Sequence, residues 1–166
     1  MKQEHISEIK AVIILAIGMI LLASLISFVP EDLPWYTSHP NIPAHNLIRV
    51  TGAYTAGSLL FVFGYSAYLL VVLLFLWSWN KFSLRKLGFS WTKLLSFVVL
   101  FCVLSTWLGM TGSPENSLRF HRAGIAGLLL SDFLMKYLGD VGSYIILVTL
   151  GTLSVILCGE VLVAPL

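Results

Sequence analysis

Four stretches of this chain are long and apolar enough that water is the wrong solvent for them. Residues 11–29 read "AVIILAIGMILLASLISFV" without one charge and stop at Pro30. Comparable runs cover residues 53–79, 94–110 and 141–163. A bilayer core of about 30 Å asks for roughly 20 apolar residues in a helix that rises about 1.5 Å per residue. The third run is short, so it must stand nearly upright or borrow flanking residues such as Trp91. Across all 166 residues, 58% are hydrophobic and 11% charged, against roughly 25% charged in a soluble domain. The expected fold is all-α and integral to the membrane: four transmembrane helices in a single membrane domain, residues 1–166. The lead-in "MKQEHISEIK" is too acidic for a signal-peptide n-region, so the first helix reads as a retained anchor.

Between the third and fourth runs lies "TGSPENSLRFHRAGIAGLLLSDFLMKYLGD". Its apolar half, residues 123–138, contains Asp132 and Lys136, which at i,i+4 can pair on one helix face. Leu130, Phe133, Leu134, Tyr137 and Leu138 fall on the other side. This pattern predicts a short amphipathic helix that lies in the interface or dips in and returns.

Lysine and arginine set the orientation. The loop 80–93 holds Lys81, Arg85, Lys86 and Lys93 and no acid, whereas 31–52 sets Arg49 against Glu31 and Asp32. The basic loop therefore faces the cytoplasm, and with four crossings both termini do too. Trp35, Trp77, Trp79, Trp91 and Trp107 stand near span edges, where indole rings favour the headgroup level. A formal net charge of +2 is too small for nucleic-acid binding by this segment. Cys102 and Cys158 sit inside apolar runs with no ligand or disulfide spacing and read as inert buried thiols.

The second run carries a stripe of small residues. At 100° per residue Ala53, Gly57, Gly64 and Ala67 share a face with Leu60, while Phe61, Phe63, Tyr65 and Tyr68 point elsewhere. Lipid gives no hydrophobic reward for pairing two helices, so close backbone approach is what small residues supply. A tight seam is expected, against another helix of this chain or a second subunit. Ahead of it, Asn46 can cap the helix start and Arg49 can snorkel to outer phosphates. His39, His45 and His121, with Glu31 or Asp32, match no recognised metal-ligand spacing.

Chemistry-bearing patterns are missing from this sequence. It has no GxSxG, no HExxH and no paired midplane aspartates, so no catalytic, cofactor or metal site is expected. A transporter or channel is the competing class, but it needs midplane polar groups or helices broken by Gly or Pro. No proline lies inside a run, and the one acid there, Glu160, falls near the inner end of the fourth.

"HNLIRVTGAYTAGSLLFVFGYSAYLL" resembles the second-span signature of the FtsK/SpoIIIE family of bacterial DNA translocases, through Asn46, Gly52, Ala53, Phe63, Gly64, Ala67, Tyr68 and Leu69. "RAGIAGLLLSDFLMKYLGDVGSYIIL" resembles the family's glycine-marked lead into the fourth span, through Gly124, Gly127, Ser131, Leu134, Gly139 and Gly142. Two positions depart: Arg49 stands where the family often has glycine, and Leu70 and Val71 replace a proline. The resemblance covers the chain as that family's N-terminal four-helix membrane domain. It implies an inner-membrane scaffold, homo-oligomeric and in contact with division proteins, that anchors a cytoplasmic motor at the septum for cell division and chromosome partition. ATP and magnesium would belong to that motor, because no GxxxxGK[ST] loop occurs here. The stop at "VLVAPL", directly after the fourth run, is expected of a segment cut from a longer chain.

Overall fold

The computed structural model describes residues 2–83, 91–111 and 116–162. Among them all regular structure is helical: α1 (Lys2–Ile26), α2 (Arg49–Phe63), α3 (Tyr68–Phe82), α4 (Trp91–Met110) and α5 (Asn116–Leu162). Short 3-10 turns occupy Pro30–Asp32 and Gly64–Ala67. Three stretches are long and apolar enough to cross a membrane, His5–Ile26, Arg49–Phe82 and Leu118–Cys158, and Leu94–Met110 is a shorter apolar helix. Arg85 and Lys86 of the basic loop, Glu115 and residues 163–166 lie outside the described residues, as do the side chains of Lys93 and Glu160.

The chain packs as two compact units. One comprises Met1–Leu59 with Leu70–Arg85, the other Leu60–Leu69 with Lys86–Leu166. In the first, α1 buries Ala11, Gly18, Ser24 and Leu25, a strip at helical spacing made mostly of small residues. α3 runs antiparallel along it. Phe75 and Leu74 cover Gly18, the Ser78 hydroxyl donates to Ala11 O at 2.8 Å, and the Ser7 hydroxyl donates to Lys81 O at 3.0 Å. The branched side chains of α1, among them Ile13, Ile17 and Ile20, stay exposed on its outer surface, where acyl chains can cover them.

The second run is not one continuous helix. Gly64 has φ +57 and opens the 3-10 turn, which breaks the expected span 53–79 near its middle. Two further breaks interrupt α5, at Gly124 (φ 64, ψ −177) and Gly139 (φ 66, ψ −179). Both lie in a backbone region essentially reserved for glycine. None of the breaks involves proline, and each rests on a glycine that hydropathy alone cannot distinguish from a packing glycine.

Contacts along α4 give the direction of each α5 segment. Residues 116–123 run antiparallel to α4: Arg119 Nε donates to Gly109 O at 3.0 Å, and the Ser105 hydroxyl donates to Ala123 O. Residues 125–138 then run parallel to it, with Gly127 against Ser105 and Ser131 against Gly109. Residues 140–162 are antiparallel again, pairing Tyr144 with Trp107 (5.7 Å between ring centroids) and Gly151 with Val103. The glycine breaks are the reversals. Within the stretch 123–138 Asp132 does not pair with Lys136: its Oδ1 accepts from Arg119 Nη2 at 2.7 Å, while Lys136 lies over the Tyr137 ring. A partly buried guanidinium with several donors holds a carboxylate better than a flexible exposed lysine does.

Candidate functional site

The groups that do the work in this fold are backbone contacts and hydroxyls, gathered in two seams and one polar node. The node organises the connection between α1 and α2. Asn46 is buried; its Nδ2 donates to Ser24 O at 2.8 Å and Ser27 O at 3.2 Å, and its Oδ1 accepts from Ile48 N at 3.0 Å. One side chain thus satisfies carbonyls at the end of α1 and an amide at the start of α2. The cap expected of Asn46 is there, and the grip on α1 comes in addition. Asp32 holds Asn46 in place. Its carboxylate accepts from Asn41 Nδ2 at 2.9 Å, His45 N at 2.9 Å and Asn46 N at 2.8 Å. Burial pushes this carboxyl's pKa up, but the hydrogen bonds from His45 N, Asn41 and Asn46 N outweigh it and hold the group below its ordinary value. Asp32 is therefore spent on the backbone. Among the described residues no three of His, Cys, Asp and Glu come together as a metal would require.

The structure divides the small-residue stripe of the second run. Ala53 and Gly57 pack within the first unit, where a Cβ on Gly57 would run into the end of the Leu33 side chain and stand 3.1 Å from the Phe28 ring. Gly52 is packed as tightly, with Ser24 Oγ 2.9 Å from where its Cβ would be. Gly64 and Ala67 pack in the second unit, and there Gly64 meets backbone. A Cβ on it would overlap Arg122 O and lie 2.6 Å from Gly124 N; one on Gly124 would lie 2.5 Å from Gly64 N and Val62 O. Two glycine-only turns are thus pressed face to face. Phe63 beside them meets Phe101 at 5.4 Å between centroids, whereas Tyr68 and Leu69 begin α3 half-buried. Gly142 is half-buried and Gly139 is exposed, with nothing near a would-be Cβ within 4 Å.

A second seam, between α4 and α5, is one that sequence reasoning missed. Ser96, Ser105 and Thr106 on α4 and Ser131, Ser143, Ser154 and Cys158 on α5 are all buried. The hydroxyls of Ser96, Ser105, Thr106, Ser131 and Ser143 each donate to a carbonyl, as Thr106 does to Cys102 O (2.6 Å) and Ser131 to Leu128 O (3.0 Å). Self-satisfied hydroxyls are small enough for close packing and leave no unpaired polar group in lipid. The signal was present as the spacing 123, 127, 131 and 143, 147, 151, 154, 158. Arg119 was missed as well. Its guanidinium joins Gly109 O, the Ser131 hydroxyl and Asp132, and so ties the end of α4 to two segments of α5.

This arrangement binds helices to one another. Residues 3–165 match the family described as the 4TM region of DNA translocase FtsK/SpoIIIE. A protein named DNA translocase FtsK from Shewanella oneidensis is 26% identical over 133 residues, which are 76% of this chain and 14% of that protein. One of the same name from Rickettsia typhi is 25% identical over 161 residues, 95% of this chain and 21% of that protein. No solved structure matches the chain. The chain thus spans a minor part of the curated relatives it matches, and the part is their membrane region. With nearly every residue inside the family's bounds, this chain belongs to the FtsK/SpoIIIE 4TM family.

Proposed function

We propose that this chain is the membrane anchor and assembly domain of an FtsK-type DNA translocase. It tethers a cytoplasmic, ATP-driven, DNA-pumping motor, absent from these residues, at the division septum of the inner membrane. The observation that carries the reading is the family match over residues 3–165. Both termini face the cytoplasm in this reading, which brings the end of the fourth crossing to the side where the motor works. Tethering the anchors of a ring of motors together raises their effective concentration, so weak contacts between anchors become populated and the domain is homo-oligomeric. Division proteins are its partners from the outer side and within the bilayer. The anchor itself binds no nucleic acid and needs no cofactor.

The test is a domain exchange in the full-length gene. Replacing residues 1–166 by an unrelated four-span segment of the same topology should leave the motor on the membrane but remove its septal focus and lengthen the cells. Septal fluorescence and normal cell length after the exchange would show that any tether suffices. Reporter fusions at each end, one active only in the cytoplasm and one only outside, test the orientation.

A further inference from the structure

The contacts of α3 fix its height along α1: Leu74 and Phe75 stand at Gly18, Ser78 at Ala11 and Lys81 at Ser7. Running α3 back from Leu74 to Leu70 at about 1.5 Å per residue puts Leu70 roughly 6 Å higher, about four residues above Gly18. Gly52 is at Ser24, since its Cβ would lie 2.9 Å from that hydroxyl. The first turn of α2 and Leu70 thus lie within about 3 Å of one height, although α2 between them is long enough to cross most of a bilayer.

A second observation agrees. Were α2 descending from Gly52, Gly57 would sit about 7.5 Å further down α1. It is covered instead by Phe28, Leu33 and Trp35, residues that follow the end of α1 at Ile26. The Gly64–Ala67 turn and α3 together measure about 30 Å, enough to cross the hydrocarbon core unaided.

We propose that α2 does not cross the membrane. It lies in the outer-leaflet interface, and the second crossing begins at the Gly64 turn. Its partner is the phospholipid headgroup and upper acyl region, which its exposed Val50 and Tyr54 enter together with Trp35, stacked edge-on against Tyr54 at 5.1 Å. Tyr and Trp favour this depth. The surface continues the lipid-facing side of α1, whose exposed Met19, Ile20 and Ile26 lead up to the same level.

The experiment uses full-length protein in phosphatidylethanolamine and phosphatidylglycerol vesicles, with nitroxides at single cysteines introduced by Val50→Cys, Tyr54→Cys, Ser58→Cys and Val72→Cys. Depth is read from oxygen and nickel collision rates. Positions 50, 54 and 58 should lie within about 5 Å of one shallow level, and position 72 deep in the core. A steady descent of about 12 Å from 50 to 58, at the helical rise, would overturn the proposal. In cells, where Cys102 and Cys158 can remain in place, Ser58→Cys should react with a membrane-impermeant maleimide added outside. Full protection of Ser58→Cys alongside labelling of Val50→Cys would equally refute an interfacial α2.

Discussion

Gly124 and Gly139 form a matched pair that isolates one interaction. Their dihedrals agree to within a few degrees (φ 64, ψ −177 and φ 66, ψ −179). A methyl group at Gly139 meets nothing within 4 Å, but at Gly124 it falls 2.5 Å from Gly64 N and Val62 O. Alanine at either position bears the cost of a backbone region that L-residues avoid, about 1–3 kcal/mol. At Gly124 it must also push two backbones apart by roughly 1 Å. Overpacking of that sort costs about 1–3 kcal/mol, and the upper end applies because the obstacles are main-chain atoms with no rotamer to escape into. Gly124→Ala should therefore be destabilised by about 2–3 kcal/mol beyond Gly139→Ala. Reversible unfolding of the purified protein in mixed micelles, followed by helix content and by Trp107 fluorescence, measures the difference. Equal loss in the two variants would mean that the turns at Gly64 and Gly124 do not touch, and the central contact of the second unit would be wrong. Gly64→Ala should resemble Gly124→Ala, since the same backbones collide.

Other substitutions probe the remaining parts. Asn46→Ala removes the donor to two carbonyls at the end of α1 and should cost about 1–3 kcal/mol in the same unfolding assay. The low pKa of Asp32 means that the folded state binds this proton more weakly than the unfolded chain. Its contribution is complete above the ordinary carboxylate pKa of about 3.9 and disappears as pH falls through the lower folded value. Stability followed from pH 7 to pH 2 should show that acid loss, and Asp32→Asn should flatten it. Arg119→Ala leaves Gly109 O without its donor and should cost about 1–3 kcal/mol, whereas Asp132→Ala, at the exposed end of the same contact, should cost at most about 1. Similar losses for the two would assign the stability to the ion pair alone. Gly57→Ile should destabilise the first unit by about 1–3 kcal/mol, because Leu33 is fully buried and its end has nowhere to move, and unchanged melting would remove that seam.

The all-helical, strongly apolar character of the chain was legible because a run such as 11–29 leaves the backbone no alternative in lipid. The role of Asn46 was half legible: a cap needs only the local sequence, but the reach to Ser24 and Ser27 needs the end of α1 to be present. The breaks were not legible at all. Periodicity places Gly57 and Gly64 on one stripe, and it cannot tell a glycine that admits a neighbour from one that turns the chain. Arg49 offers an instructive contrast. It stands where the resemblance has glycine, and its φ is +57, so the departure falls on a left-handed position. The α4–α5 seam escaped because hydropathy scores serine as neutral, whereas in a membrane a hydroxyl bonded to its own helix behaves as a small residue. The pairing of Asp132 was misjudged because the local partner, Lys136, is visible in sequence and the distant one, Arg119, is not.

Small residues explain how such an anchor holds together without a hydrophobic core in the ordinary sense. Leucine and isoleucine find equivalent surroundings in acyl chains, so burying them against each other gains little. What distinguishes the folded arrangement is contact too close for lipid to imitate, and in this chain it occurs where glycine meets backbone, at Gly64, Gly124 and Gly127, and where hydroxyls lie in the seam, at Ser105 and Ser131. The large side chains, Leu129, Ile145 and Ile156 among them, are left facing outward. Pattern and burial are thus inverted relative to a water-soluble protein, and the positions that specify the fold are the ones with the least side chain. A membrane domain made this way is held where its glycines meet backbone and leaves a varied apolar surface facing lipid.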